Sequence, residues 1–355
     1  QSGYHPYRDG RCGIVNKPIK ALNARSATGK ISNEAFLNRV MFLVLIVLFA
    51  AASLFIDKYF STATALNLIA NNWYIVILGI GVTFLLVSGH LDMSVGGIVG
   101  MAGVLSAYFT QPANEGFSEL GQGLGLPYGV AILLTLLVCL FIGMLNALFI
   151  AKMRVASIIV TLGTMSIARG IGQVAALGAQ RSAGLPDLFG VIGNVPLFGP
   201  IKIAAAIAAI LVVIALFIEK KTSFGRRTYL IGANREAARL SGVKVELHIG
   251  LLYMLSALLA GITGILLASE MKAGISTRGA GFEFNALVVT LLGGASIDGG
   301  VGSVLGMVIG ALILGVVSSA AYGLLLRPEW QFILKAVVTF LAIIAQRYLL
   351  DRRNK

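Results

Sequence analysis

Charge and reactive side chains are what this sequence is short of. Of 355 residues only 12% are charged, three are histidine and two are cysteine. Cys12 stands in a basic arm and Cys139 in an apolar run, a spacing that suggests neither a disulfide frame nor a metal site. His5, His90 and His248 are too scattered to hold a metal. A phosphate loop is missing too: the one Gly-Lys pair, Gly29-Lys30, is followed by Ile31 and lacks the upstream glycine. The run Gly121-Gln-Gly123-Leu-Gly125 lacks the third glycine of the dinucleotide pattern. With no nucleophile and base pair either, no catalytic residue is assigned and no cofactor is expected in this chain. Any ATP hydrolysis that drives it belongs to another subunit.

What is present is apolar. Hydrophobic residues make up 57% of the chain and glycine contributes 43 positions, too apolar for a soluble domain of this length. Uncharged runs such as Leu247 to Ala268 and Val301 to Leu326 reach the roughly 20 residues that a helix needs to cross hydrocarbon. The sequence reads as an all-α polytopic membrane protein with about ten spans, near 40–56, 65–88, 93–110, 128–151, 155–178, 201–218, 247–268, 282–296, 301–323 and 329–346. The transmembrane domain is thus 40–346, between an N-terminal arm, 1–39, and a basic tail, 347–355. The arm has seven basic residues and no apolar core like that of a signal peptide, so it reads as cytoplasmic.

A net charge of +13 raises nucleic acid as a partner, but the charges collect between spans. With the N-terminus inside, 20 of the 28 Lys and Arg fall in inner segments and six in outer ones. That asymmetry holds cytoplasmic loops in place and puts both ends inside, with membrane lipid and no nucleic acid as the surroundings. The eighth span is short and flanked by Gly293, Gly294, Gly299 and Gly300, which fits either a broken, partly re-entrant helix or a short span in a thinned bundle.

Two glycine-rich stretches echo each other. Gly89-His-Leu-Asp92-x3-Gly96-x3-Gly100 parallels Gly294-Ala-Ser-Ile-Asp298-x3-Gly302-x3-Gly306. In each, an aspartate at the inner membrane edge precedes a helix whose glycines share a face, where neighbouring backbones pack closely. Duplicated halves and chance similarity of glycine-rich helices both account for the match. For Asp92 and Asp298, two roles stand open: helix N-cap, or part of a transport pathway.

Between the sixth and seventh spans lies a cytoplasmic loop, 219–246. Lys220, Lys221, Arg226 and Arg227 anchor its start, and Asn234 is placed to cap a short helix over Arg235 to Leu240 that Gly242 ends. Such a helix, with Ala237 and Ala238 on it and Arg235, Glu236 and Arg239 as polar rim, either seats in a partner's groove or is a solvated loop. Polar groups within spans are few. Asn71, Asn72, Trp73, Asn146 and Asn285 suit the contacts of a small polar solute or interhelical hydrogen bonds. Arg169, mid-span, faces the bundle interior or snorkels, and Lys335 snorkels.

Glu236-Ala237-Ala238-x3-Gly242 resembles the EAA signature of ATP-binding-cassette importer permeases, and GANREAARLSGV (232–243) after TSFGRR (222–227) resembles its form in permeases for ribose, xylose and related monosaccharides. SGHLDMSVGGIVGMAG (88–103), AKMRVASIIVTLGTMSIARG (151–170) and LLGGASIDGGVGSVLG (291–306) agree with that family in the same order. Ala156 departs from a common proline, His90 from a common apolar residue, and the Leu-Pro ending of other branches is absent. The resemblance implies a homodimeric permease of the bacterial inner membrane importing a monosaccharide, partnered by a periplasmic sugar-binding protein and by ATPase subunits that hold the ATP and Mg. It implies that residues 234–243 form the coupling helix, and that Asp92, Ser94, Ser296 and Asp298 lie at the inner end of the pathway, with Gly96 and Gly302 packed tightly. Competing expectations are an ion-coupled transporter using Asp92 and Asp298 as ligands, and a permease for branched-chain amino acids.

Overall fold

A computed structural model describes residues 19–113, 122–177 and 180–353; His5, Cys12, Gly121 and the first 18 residues of the arm lie outside them. The chain is built from α1 (Ile19–Phe55), α2 (Thr62–Val87), α3 (Val95–Thr110), α4 (Tyr128–Asn146) and α5 (Ser157–Ala176). A π-helical segment, Ala147–Lys152, prolongs α4. Then follow α6 (Asp187–Asn194), a hairpin of β1 (Pro196–Phe198) and β2 (Ile201–Lys202), α7 (Ile203–Lys221), α8 (Ser223–Ala233) and α9 (Arg235–Leu240). The remainder is α10 (Val245–Met271), α11 (Phe282–Leu292), α12 (Val304–Gly323) and α13 (Pro328–Arg353).

This is an all-α polytopic membrane protein. Among the described residues seven helices are long and apolar enough to cross a bilayer, and α3 and α11 are apolar but shorter. Each of the ten expected spans has a helix at its place. Helix also runs beyond two expected limits: α1 begins within the arm, and α13 continues into the tail as far as Arg353. Three helices and the hairpin have no counterpart among the spans. Of these, α6 is tied to the end of α10 through Ser269, which receives Gly193 N at 2.8 Å and donates to Phe189 O at 2.5 Å.

The core forms around α2 and α10, with 72% of each apolar window buried against 11% for α1. Small residues let these helices touch at the backbone. A Cβ at Gly81 would lie 2.9 Å from Ser256 Cα, and one at Gly261 2.9 Å from Cys139 Sγ. Cys139, fully buried, is thus a packing residue between α4 and α10.

Two helices start inside the bundle. The non-helical link 88–94 leads into α3, and its Asp92 bonds to Ser256, 11 residues past the start of α10. At 1.5 Å per residue that is about 16 Å along α10, and Asp92 is buried among the helices there. The second case is α11. Before it, residues 273–281 run alongside α3: a Cβ at Gly274 would lie 2.8 Å from Val104 Cα, and one at Gly279 3.1 Å from Gly100 N. Helix α11 then has 11 residues, about 16 Å and roughly half the hydrocarbon thickness. It ends at Leu292, short of the expected 296, where Gly294 takes a left-handed φ of +89°; Gly299 and Gly300, at +85° and +73°, turn the loop beyond it. Of its non-helical flanks, Ala273, Gly274 and Gly279 before it and Gly293, Gly294 and Ala295 after it are buried, as backbone at membrane depth requires.

Candidate coupling surface and polar core

The buried polar core centres on Asp92. Its Oδ1 accepts from Ser94 N at 2.8 Å and Ser94 Oγ at 2.5 Å, and its Oδ2 accepts from Ser256 Oγ at 2.7 Å. Asn146 Nδ2 donates to Ser94 Oγ at 3.1 Å, and Thr164 Oγ1 donates to Asn146 Oδ1 at 2.7 Å. Tyr253 OH donates to Leu91 O at 3.0 Å. One hydrogen-bonded cluster therefore joins α3, α4, α5 and α10. All its side chains are buried, as such groups must be paired to be tolerated. Beside it, His90 Nδ1 lies 3.0 Å from Ser88 O.

This geometry corrects the capping expectation. The cap position of α3 is Ser94, which makes no side-chain cap bond; Asp92 instead folds the turn that leads to it. The two echoing aspartates also differ. Asp298 is exposed, and its amide donates to Ser296 Oγ at 3.2 Å, while α12 is capped by Ser303, whose Oγ accepts from Gly306 N at 3.0 Å. The second acceptor at that helix start is Glu219, with Oε2 3.2 Å from Val304 N. An acid from another helix takes the place that the pattern suggested for Asp298.

The paired glycines all sit at close approaches. A Cβ at Gly96 would collide with Glu283 Oε2, and one at Gly100 with Ser276 O. At Gly302 it would lie 2.8 Å from Val87 Cγ2, and at Gly306 it would run into Gly293 O.

The loop 219–246 is mostly helical. Helix α8 went unforeseen because two glycines break its pattern, yet Gly225, Thr228 and Ile231 recur at helical spacing and are buried. Thr222 caps it, accepting from Gly225 N at 3.3 Å. Thr228 Oγ1 lies 2.8 Å from His248 Nε2, fixing α8 to α10. Tyr229 OH sits 2.6 Å from both Glu219 Oε1 and Gly302 O, drawing α7 and α12 to the same place. At the end of α8, Gly232 presses on the end of α2: a Cβ there would collide with Val87 O and lie 2.5 Å from Gly300 N. Gly300 N donates to that same Val87 O at 2.7 Å.

Helix α9 is closed at both ends. Asn234 Oδ1 accepts from Ala237 N at 2.9 Å, as an N-cap does. Gly242, with φ +81°, donates to Arg239 O at 2.9 Å while Val243 N donates to Ala238 O at 3.1 Å, the Schellman pattern that satisfies the last carbonyls. Ala238 is buried and Ala237 exposed. Arg235 and Arg239, expected as rim contacts, turn back instead to Glu246 at the start of α10. Left facing outward are Glu236, with a side chain 73% exposed, and Leu240, 89% exposed.

The remaining candidates divide. Asn146 belongs to the Asp92 cluster. Trp73 is buried edge-on to Tyr74, and Asn72 donates to Leu68 O at 2.7 Å and packs on Gly315, so both serve helix contacts. Asn71 is exposed and Asn285 half-buried. Lys335 is half-buried. Pattern reading missed Ser256, Thr164, Glu219, Tyr229 and Glu283. Of these only the acids carried a signal: Glu283 is a lone charge at the start of an apolar run, and Glu219 closes one just before Lys220 and Lys221.

The comparisons extend over the whole bundle. The family model described as "Branched-chain amino acid transport system / permease component" matches residues 64–343. The chain is 31% identical over 311 residues to the ribose import permease protein of Haemophilus influenzae, covering 87% of this chain and 92% of that one. It is 34% identical over 289 residues to the galactose/methyl galactoside import permease protein of the same organism, with 78% and 84% covered. To the L-arabinose transport system permease protein of Escherichia coli it is 34% identical over 313 residues, with 87% and 90% covered. No solved structure matches significantly.

Proposed function

We propose a transport cycle on an established premise: the chain belongs to the family of branched-chain amino acid transport system permease components. It is a transport subunit, not an enzyme. Relatives named for ribose, galactose and arabinose support a monosaccharide as the solute, moved across the inner membrane by alternating access. Hydrolysis of ATP, with its Mg, takes place in a separate ATPase subunit, and a periplasmic sugar-binding protein delivers the solute. A second, identical chain completes the path. Ten crossings with both termini cytoplasmic accord with the 20 basic residues on inner segments against six on outer ones.

The observation that carries this reading is α9. It is a short helix, capped at both ends, that presents Glu236, Ala237 and Leu240 outward and is backed by Glu246 and by α8. Docked on an ATPase, it passes motion along two packed routes. One runs through Glu246 into α10, which carries Ser256 and hence Asp92. The other runs through α8 and Gly232 to the end of α2 and the glycine loop 293–302. Glu236→Lys tests the docking: the variant is expected to lose co-purification with the ATPase and sugar-stimulated hydrolysis. Retention of both sinks the coupling role of α9.

The printed family description favours a second solute class, branched-chain amino acids. Binding of labelled ribose, galactose and leucine by the partner binding protein separates the two. An ion-coupled mechanism finds less support, since both oxygens of Asp92 already accept from serines and Asp298 is exposed. Uptake that follows an ion gradient in vesicles without ATP would establish it.

A further inference from the structure

Arg169 lies past the middle of α5, and its guanidinium reaches over the first turn of α3 to the first turn of α11. There Nη2 donates to Glu283 Oε1 at 2.9 Å. The partners differ in exposure: the Glu283 side chain is 4% exposed and that of Arg169 36%. Gly96 leaves the room that the carboxylate fills, and Glu283 Oε2, lying against it, has no hydrogen-bond partner. Here the acid is sunk between α3 and α11 and aims the base outward.

The outward face of Arg169 calls for a partner. A guanidinium carries five N–H donors in a fixed fork, and among the described residues one of them is bonded. A cation at membrane depth does not face lipid at low cost, so this face lines protein or water. Free N–H donors in a fixed fork meet the needs of a neutral polyol, whose hydroxyls take hydrogen bonds.

We propose that Arg169, positioned by Glu283, is a contact point for the monosaccharide on its way through the permease. This rests on the monosaccharide-permease reading above. Arg169 touches the sugar; Glu283 acts through Arg169, and Gly96 through Glu283.

The test uses the full complex, permease with ATPase and binding protein, in proteoliposomes. Uptake of labelled ribose, galactose and arabinose is measured beside ATP hydrolysis in the same vesicles. Arg169→Gln and Glu283→Gln are expected to assemble and hydrolyse ATP within twofold of wild type while sugar moved per ATP falls at least fivefold. Arg169→Lys, which keeps the charge but not the fork, should fall between. If sugar per ATP stays within twofold of wild type in Arg169→Gln, the contact is wrong. If assembly and hydrolysis collapse together with uptake, the pair is structural and the proposal is equally overturned. A wild-type complex that moves none of the three sugars overturns the permease reading itself, and this proposal with it.

Discussion

Asp92 shows what one buried side chain does in a bundle with little charge. Its carboxylate takes three donors from two residues, Ser94 and Ser256. Replacing it with alanine leaves those donors without an acceptor inside the protein, at about 1 to 3 kcal/mol for each group that cannot repair itself. Interhelical hydrogen bonds in membranes average less than that because partners re-form. Asp92→Ala is therefore expected to cost about 3 kcal/mol and Asp92→Asn, which retains an acceptor oxygen, about 1 kcal/mol. Thermal unfolding of the purified permease in detergent checks the order; equal melting of Asp92→Ala and wild type would show that the cluster contributes no stability.

At the scale of the element, α9 has only six residues, too few to stand on propensity alone. Its caps are what hold it. Removing the side-chain acceptor in Asn234→Ala costs about 1 kcal/mol. Forcing a Cβ into the left-handed conformation of Gly242 in Gly242→Ala costs a further sum of about 1 kcal/mol. Each change should raise hydrogen exchange of the amides from 235 to 243 by roughly fivefold, the ratio that 1 kcal/mol represents. Exchange that does not change in either variant would mean that packing against Val243 and Glu246 suffices. By contrast α8 is held by its buried stripe and by Thr228 against His248, and no such sensitivity is expected there.

Over the whole molecule, Gly232, Val87, Gly89, Gly299 and Gly300 meet where α8 touches the end of α2 and the glycine loop after α11 through backbone. Rigid backbone contact of this kind has little slack to absorb motion. In Gly232→Val the added side chain must push α8 off Val87 and Gly300. The expected result in the reconstituted complex is continued ATP hydrolysis with at least tenfold slower sugar uptake. Full uptake by this variant would show that motion does not pass through the junction.

The sequence by itself determined what depends on composition and on local pattern. Long uncharged runs can only be satisfied as helices in hydrocarbon, so the helix order and all-α class were legible. The ends of α9 were legible too, because Asn234 and Gly242 act within their own few residues. Tertiary structure alone decided the rest. Asp92 and Asp298 stand in matching patterns, yet one is buried beneath Ser256 and the other exposed, since that choice rests on a helix 164 positions further on. In the same way, Arg169 finds Glu283 across 114 residues, and Glu219 reaches Val304 across 85. A sequence pattern records neighbours along the chain, whereas the partner of a buried charge is set by which helices pack, and in this protein glycines such as Gly96 decide how closely.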